Sequence, residues 1–75
     1  MLVRLKKIKI QDTYEKPNVF KMMEREAYFI IHRKFAVPIV INKDNVLVDG
    51  YTSYLIAKMY GKKIVKVKRV WNIQK

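Results

Sequence analysis

Apolar and polar positions along the 75-residue chain change their period several times, and each change marks an expected element. Val3 to Ile10 (VRLKKIKI) mixes branched apolar residues with lysines, which predicts a strand. Its alternation slips, because Val3 and Leu5 share one parity while Ile8 and Ile10 share the other. A bulge, or a strand that ends near Lys7, would reconcile the two halves. Gln11 to Lys16 is polar and predicts a loop. Pro17 and Asn18 then open a helix, since proline fits a first turn where its missing N–H has no intrahelical partner. From Val19 to about Lys34, Phe20, Met23, Ala27, Ile30 and Ile31 recur at three- and four-residue steps, with Lys21, Glu24, Arg25 and Arg33 on the other side. Met22, Met23, Tyr28, Phe29 and Phe35 also fall at helical spacing and are expected in the core. The helix is apolar around more than one face, so part of this set is also available to a dimer surface.

Pro38 to Asn42 (PIVIN) predicts a short strand with proline at its first position, where a strand tolerates it. Lys43, Asp44 and Asn45 make a polar turn, and Val46 to Asp49 (VLVD) a return strand, so 38–49 reads as a β-hairpin. Gly50 breaks it. Tyr51 to Tyr60 predicts a second helix, stopped by Gly61. Ile64 to Val70 (IVKVKRV) predicts a last strand and Trp71 to Lys75 a basic tail. The order β-α-β-β-α-β predicts a single α+β domain over residues 1–75, with two main helices on a small mixed sheet.

Composition adds charge to this picture. Seventeen Lys and Arg stand against six Asp and Glu, a formal net charge of +11. From Tyr51 onward there are seven basic residues and no acid. Such an imbalance concentrates polyanions at the surface and points to nucleic acid, although solvated lysines also occur on small basic proteins for no such reason. The absence of cysteine excludes disulfides, thiolate metal sites and a cysteine nucleophile. No apolar run approaches the ~20 residues that span a bilayer, so a cytoplasmic location and no membrane partner are expected.

The stretch PIVIN, then VLVDGYTSYLIAKMYGKK, then IVKVKRV resembles the ParB-like or sulfiredoxin-like superfamily. Its pattern is a proline-led strand, a turn, a strand ending in Asp-Gly, a helix, a glycine near the helix end and a closing strand. The resemblance implies a phosphate-binding turn at Asp49, Gly50, Tyr51, Thr52 and Ser53, with nucleotide as the one cofactor to consider. Elementary chemistry supports that use, since Gly50 lets the backbone approach an anion and a helix start presents free N–H groups. A helix N-terminus whose amides are merely capped by Asp49, Thr52 or Ser53 is the alternative. In ParB-type members an arginine follows the turn, and in sulfiredoxins a Cys-His-Arg run. This chain has Tyr51 in place of the cysteine and Ser53 in place of the arginine, so sulfiredoxin chemistry is excluded. With Asp49 as the only carboxylate at the turn, catalysis is not expected.

The remaining candidates are cationic. Lys62, Lys63, Lys66, Lys68 and Arg69 cluster on or beside the last strand, and Lys66 and Lys68 share a parity opposite to Val65 and Val67. If the terminal strands are neighbours, Lys6, Lys7 and Lys9 lie close by. Such a stripe either tracks a phosphate backbone or blunts an exposed sheet edge. His32, the only histidine, has no cluster of ligands around it in sequence, and no metal site is expected. The sequence therefore predicts a small, non-enzymatic, nucleic-acid-associated protein of the kind carried by plasmids, phages or mobile elements. Nucleotide binding or phosphotransfer at the Asp-Gly turn is the alternative, or contact with a protein partner or a second copy.

Overall fold

A computed structural model describes residues 1–11, 14 and 16–71. Four strands form one mixed sheet in the order β1-β4-β2-β3. They are β1 (Leu2–Arg4), β2 (Ile39–Ile41), β3 (Leu47–Asp49) and β4 (Ile64–Arg69), joined by helices α1 (Val19–His32) and α2 (Tyr51–Met59). β1 and β4 are antiparallel, β2 and β3 are antiparallel, and β2 and β4 are parallel. The parallel pair is what requires the crossover through α2. The expected α+β order and the neighbouring terminal strands are both present. Residues 72–75, most of the expected tail, lie outside the described residues.

The broken alternation near the N-terminus has a specific cause. β1 ends at Arg4, and Leu5–Lys7 form a 3-10 turn that carries the chain down onto the core. Leu5 and Ile8 are three residues apart and both are buried, as the spacing of such a turn dictates. The chain then touches the sheet again through a single parallel bridge from Lys9 to Val46. The hairpin forms within its expected bounds, with shorter strands and a register shift between Val40 and Ile41. Its turn is closed by the Asn42 side chain, whose Oδ1 accepts the amides of Asp44 at 2.8 Å and Val46 at 3.0 Å.

The core consists of Leu5, Ile8, Ile39, Ile41, Leu47, Ile56, Ala57, Val65 and Val67. It lies between one face of the sheet and α2, with the 3-10 turn closing an end. α2 ends as its sequence predicts. Gly61 adopts a left-handed φ of 68°, with Gly61 N–H donating to Lys58 at 3.2 Å and Lys62 N–H to Ala57 at 3.0 Å.

α1 corrects an expectation. Asn18 caps it, accepting from Phe20 N at 2.7 Å and Lys21 N at 3.3 Å, and its bounds fall within those predicted. Yet no residue of α1 is buried, and the stripe expected to face inward faces solvent. Phe20 is 79% exposed, Ile31 72% and Met23 60%, and Val19, Ala27 and Ile30 join them. At ~100° per residue these six positions span an arc of roughly 120° without a charge. The helix rests instead on its half-buried side of Met22, Arg25, Glu26, Tyr28 and Phe29, against α2. The Tyr60 hydroxyl donates to Glu26 at 2.7 Å, and Phe29 packs against Phe35 and Tyr60 with ring centroids at 5.1 and 5.2 Å. Of the five residues expected in the core, Met22, Tyr28, Phe29 and Phe35 are half-buried and Met23 is outside. The reason is that α1 lies on a helix rather than on the sheet, and its aromatic side covers more of α2 than its aliphatic side would.

The two classes of apolar residue should separate cleanly under denaturation. Ile41→Ala removes a fully buried side chain and should cost about 2–5 kcal/mol, a large share of what a domain of this size has. Phe20→Ser and Ile31→Ser should fall within about 0.5 kcal/mol of the parent. Urea midpoints of the three variants, measured at one protein concentration, check this.

Candidate nucleic-acid interface and the Asp-Gly turn

Central strand β4 decides where the charge goes. Val65 and Val67 point to the core, 3% and 6% exposed, so the intervening Lys66 and Lys68 must project from the opposite face. Among the described residues no helix covers that face, and both lysines are exposed. Cross-strand partners share a face, which brings Leu2 beside Lys66, Arg4 beside Ile64 and Val40 beside Lys68. The open side is thus a short basic surface with exposed Leu2 and Ile64 between its charges.

The end of α1 borders this surface across a cleft of about 500 Å3, to which Arg33, Lys34, Lys62, Lys66 and Lys68 all contribute and no carboxylate does. Arg33 and Lys34 were not singled out by sequence reasoning. Their placement follows from Arg33 closing α1 in a left-handed conformation, φ 59°, which turns the chain toward the sheet. Lys62 leans over the Phe29 ring at 5.6 Å and so marks the junction of the helices. Lys63 lies beyond it, toward β1.

Arg69 behaves differently from the lysines. It lies on the strand parity that faces inward and is half-buried. Its Nη1 donates to the Asn42 carbonyl at 2.9 Å and to Asn45 Oδ1 at 2.8 Å, holding the hairpin turn against the end of β4. Its guanidinium also lies 6.0 Å from the Trp71 ring.

At the other end of the sheet the Asp-Gly turn converts β3 into α2. Gly50 has φ 85° and its Cα packs against backbone, because a Cβ there would lie 2.8 Å from Ile39 Cα and overlap the Pro38 carbonyl. The Asp49 carboxylate folds back to accept the Gly50 amide at 2.8 Å, and no side chain caps the first turn of α2. Thr52 and Ser53 are buried, and the Ser53 hydroxyl donates to the Val37 carbonyl. Ser53 therefore ties α2 to the segment before β2, while the first-turn amides carry no side-chain cap. The Tyr14 ring stacks on Tyr51 at 4.9 Å, and its hydroxyl donates to the Leu47 carbonyl at 3.0 Å. Burial, and then the nearby Asp49 charge, push the Tyr14 hydroxyl above the usual tyrosine range.

A cleft of about 510 Å3 opens at this helix start, with Asp49, Gly50, Tyr51 and Thr52 on one wall and Lys16, Lys21 and Arg25 on the other. The Nε of Arg25 is buried without a hydrogen-bond partner. Sequence reasoning assigned Arg25 to the solvated side of α1. The available signal was the one-turn spacing of Lys21 and Arg25 directly after the Asn18 cap, and only the tertiary packing shows what they face. Among the described residues no three His, Cys, Asp or Glu come together as metal ligands would. His32 is exposed at the end of α1, its ring 4.2 Å from that of Tyr28. Among the described residues no helix is long and apolar enough to cross a membrane.

Gly50→Ala tests how tightly this turn is built. The strained φ, at ~1–2 kcal/mol, and the overlap with Pro38, at ~1–3 kcal/mol, should together cost about 2–5 kcal/mol. Gly61→Ala, where a Cβ meets nothing within 4 Å, should cost only about 1 kcal/mol from its φ. Paired urea melts compare them.

No protein-family model matches the chain, and neither does any curated protein. Solved structures do. Two structures of the pNOB8-like ParB N-domain superpose with a TM-score of 0.76 at 28% identity, over 92% and 97% of this chain. The chain spans only 28% and 27% of the length of those solved chains. With its strand order, its Asp-Gly turn and its crossover helix in place, the chain has a ParB-like fold, that of a ParB N-domain.

Proposed function

We propose that this ParB-like domain associates with nucleic acid through its uncovered basic sheet face, by phosphate contact and without catalysis. The observation that carries the reading is the cleft shared by Arg33, Lys34, Lys62, Lys66 and Lys68, which has five cations and no carboxylate. Eleven of the chain's basic groups have no side-chain carboxylate available anywhere, since 17 − 6 = 11. Contacts of this kind position a phosphate backbone and do not read base edges. Affinity should therefore be similar for unrelated sequences and should fall steeply with salt.

Fluorescence anisotropy of a labelled random duplex, titrated at several salt concentrations, measures this. The parent should bind at low salt, and Lys66→Ala with Lys68→Ala should flatten the log–log salt slope by about one to two, at ~0.9 per lost phosphate contact. A loss confined to particular sequences would contradict the reading. Absence of binding at low salt would remove it, and the uncharged arc of α1 would become the surface to pursue as a contact for a protein partner or a second copy.

The cleft at Gly50 favours a second reading, in which Asp49–Ser53 and Arg25 hold a nucleotide or another phosphate. Uncapped amides at the start of α2 and three cations across the cleft support it, with Arg25 coming from a helix far in sequence to stand where Ser53 cannot serve. A ligand at 100 times its dissociation constant stabilises by about 2.7 kcal/mol, several degrees for a domain this size. Thermal melts with millimolar ATP or CTP and magnesium should show that shift in the parent and lose it in Arg25→Ala. An unchanged melting temperature would retire the reading.

A further inference from the structure

At the opposite end of α2 from Gly50 lies the largest of the three clefts, with a volume of about 720 Å3. That is within the usual range of small-ligand sites. Arg4, Lys6, Lys58, Lys62 and Lys63 line it, and no carboxylate does. Leu5, Tyr54 and Ile64 supply the apolar part of its wall. The five cations come from β1, the 3-10 turn, the last turn of α2 and the segment leading into β4.

Backbone hydrogen bonds, rather than side-chain partners, bring these segments together. The left-handed Gly61 and the two bonds that close α2 turn the chain back past the helix end, which sets Lys62 and Lys63 beside Lys58. Leu5 N–H donates to the Lys63 carbonyl at 2.9 Å, and Arg4 is the register partner of Ile64. The 3-10 turn is anchored by buried Leu5, which carries Lys6 to the rim. Lys58 also sits at the carbonyl end of α2, where the helix dipole favours its charge. The cationic groups thus start from fixed backbone positions and lack a counter-charge on the cavity wall. An anion with several linked charges offsets several of these cations at once, where single counterions offset one each.

We propose that this cavity binds a compact run of adjacent phosphate groups, as found in inorganic polyphosphate or in the phosphate chain of a nucleotide. Five cations drawn from four segments carry more positive charge than one phosphate offsets, whereas three linked phosphates carry several negative charges. The site adjoins the proposed nucleic-acid face and shares Lys62 and Ile64 with its cleft, but Lys66 and Lys68 do not line it, and the inference does not rest on that reading. It is separate from the cleft at Gly50.

The test is a titration of the full-length 15N-labelled chain with inorganic tripolyphosphate at low salt without divalent metal. Saturable amide shifts should concentrate at Arg4, Tyr54, Lys58 and Lys63. Two double variants carry the same change in net charge and isolate location from total charge. Arg4→Glu with Lys58→Glu should weaken binding at least about tenfold more than Lys66→Glu with Lys68→Glu, a difference of ~1.4 kcal/mol. All four residues are exposed, and Lys58→Gln alone provides a milder variant if either pair disturbs folding. ATP without metal should shift the same amides if nucleotides are a source of the phosphate chain, and tripolyphosphate alone should do so if they are not. Equal weakening in the two double variants would overturn the site, as would shifts centred on Gly50–Ser53 and Arg25. So would monophosphate binding as tightly as tripolyphosphate, or a single-stranded oligonucleotide moving these amides while tripolyphosphate does not.

Discussion

The pairing of β4 with two different neighbours is the constraint on which the rest of the molecule depends. This six-residue strand runs antiparallel to β1 and parallel to β2. The parallel partner forces a crossover, so the chain must leave β3, run back along the sheet as α2, and re-enter beside β2. The antiparallel partner ties the N-terminus to the same strand, which places Arg4 and Lys6 near Lys63 although almost sixty positions separate them. With Val65 and Val67 fixed inward, the direction of Lys66 and Lys68 is no longer free. A slip of one residue would put two ammonium groups into the core and two valines into water, a cost no 75-residue domain could absorb. Charge placement is thus a consequence of packing.

Charge in turn acts on stability. A net charge of +11 on so small a chain means that compaction works against self-repulsion, most strongly at low ionic strength. Among the described residues the core opposes this with nine buried apolar side chains, none of them aromatic. Two observations show how the fold accommodates the imbalance. The cations line clefts that open to solvent, where counterions reach them. Half-buried Arg69 is satisfied by carbonyl and amide oxygens in place of a carboxylate. Added salt should therefore stabilise the fold while weakening contacts with polyanions, and the opposite signs keep the two effects experimentally separable.

Much of the architecture was legible because it depends on local signals. The Asp-Gly break, the proline-led hairpin, the glycine stop after α2 and the alternation in β4 each fix a conformation within a few residues, and all four appear where the sequence puts them. What failed to be legible was relational. Periodicity shows that α1 has apolar positions on more than one side, but not which side meets a neighbour, so Met23 is expected in the core with Met22 and lies outside it. Arg69 belongs by composition to the basic stripe, but by parity it goes with Val65 and Val67 and not with Lys66 and Lys68. Arg25 was missed for a converse reason, since its place opposite Gly50 arises only when α1 folds onto α2. In the Asp-Gly turn the sequence suggested capping as an alternative to anion binding. The structure shows the Asp49 carboxylate taken by the Gly50 amide and the Ser53 hydroxyl by the Val37 carbonyl, so neither side chain caps the first turn of α2.

The exposed arc of α1 and the bare face of the sheet have a common origin. Two helices are available, and a two-layer domain with one sheet would ordinarily use both to cover it. Here α2 alone covers the inner face, and α1 is held to α2 through Glu26–Tyr60 and the Phe29 contacts instead of being laid on the strands. That arrangement leaves the outer face of the sheet open for its lysines and gives α1 no sheet against which to turn its aliphatic side. Moving α1 onto the outer face would bury Phe20 and Ile31, but it would also desolvate Lys66 and Lys68 with no carboxylate on that helix face to receive them, since Glu24 and Glu26 flank the arc and do not lie within it. The energetic gain from a few aliphatic side chains, about 1.5–3 kcal/mol each when fully buried, does not offset two unpaired buried ammonium groups. An open basic face and an uncovered apolar helix are therefore two sides of one compromise, set by the placement of lysines on the central strand.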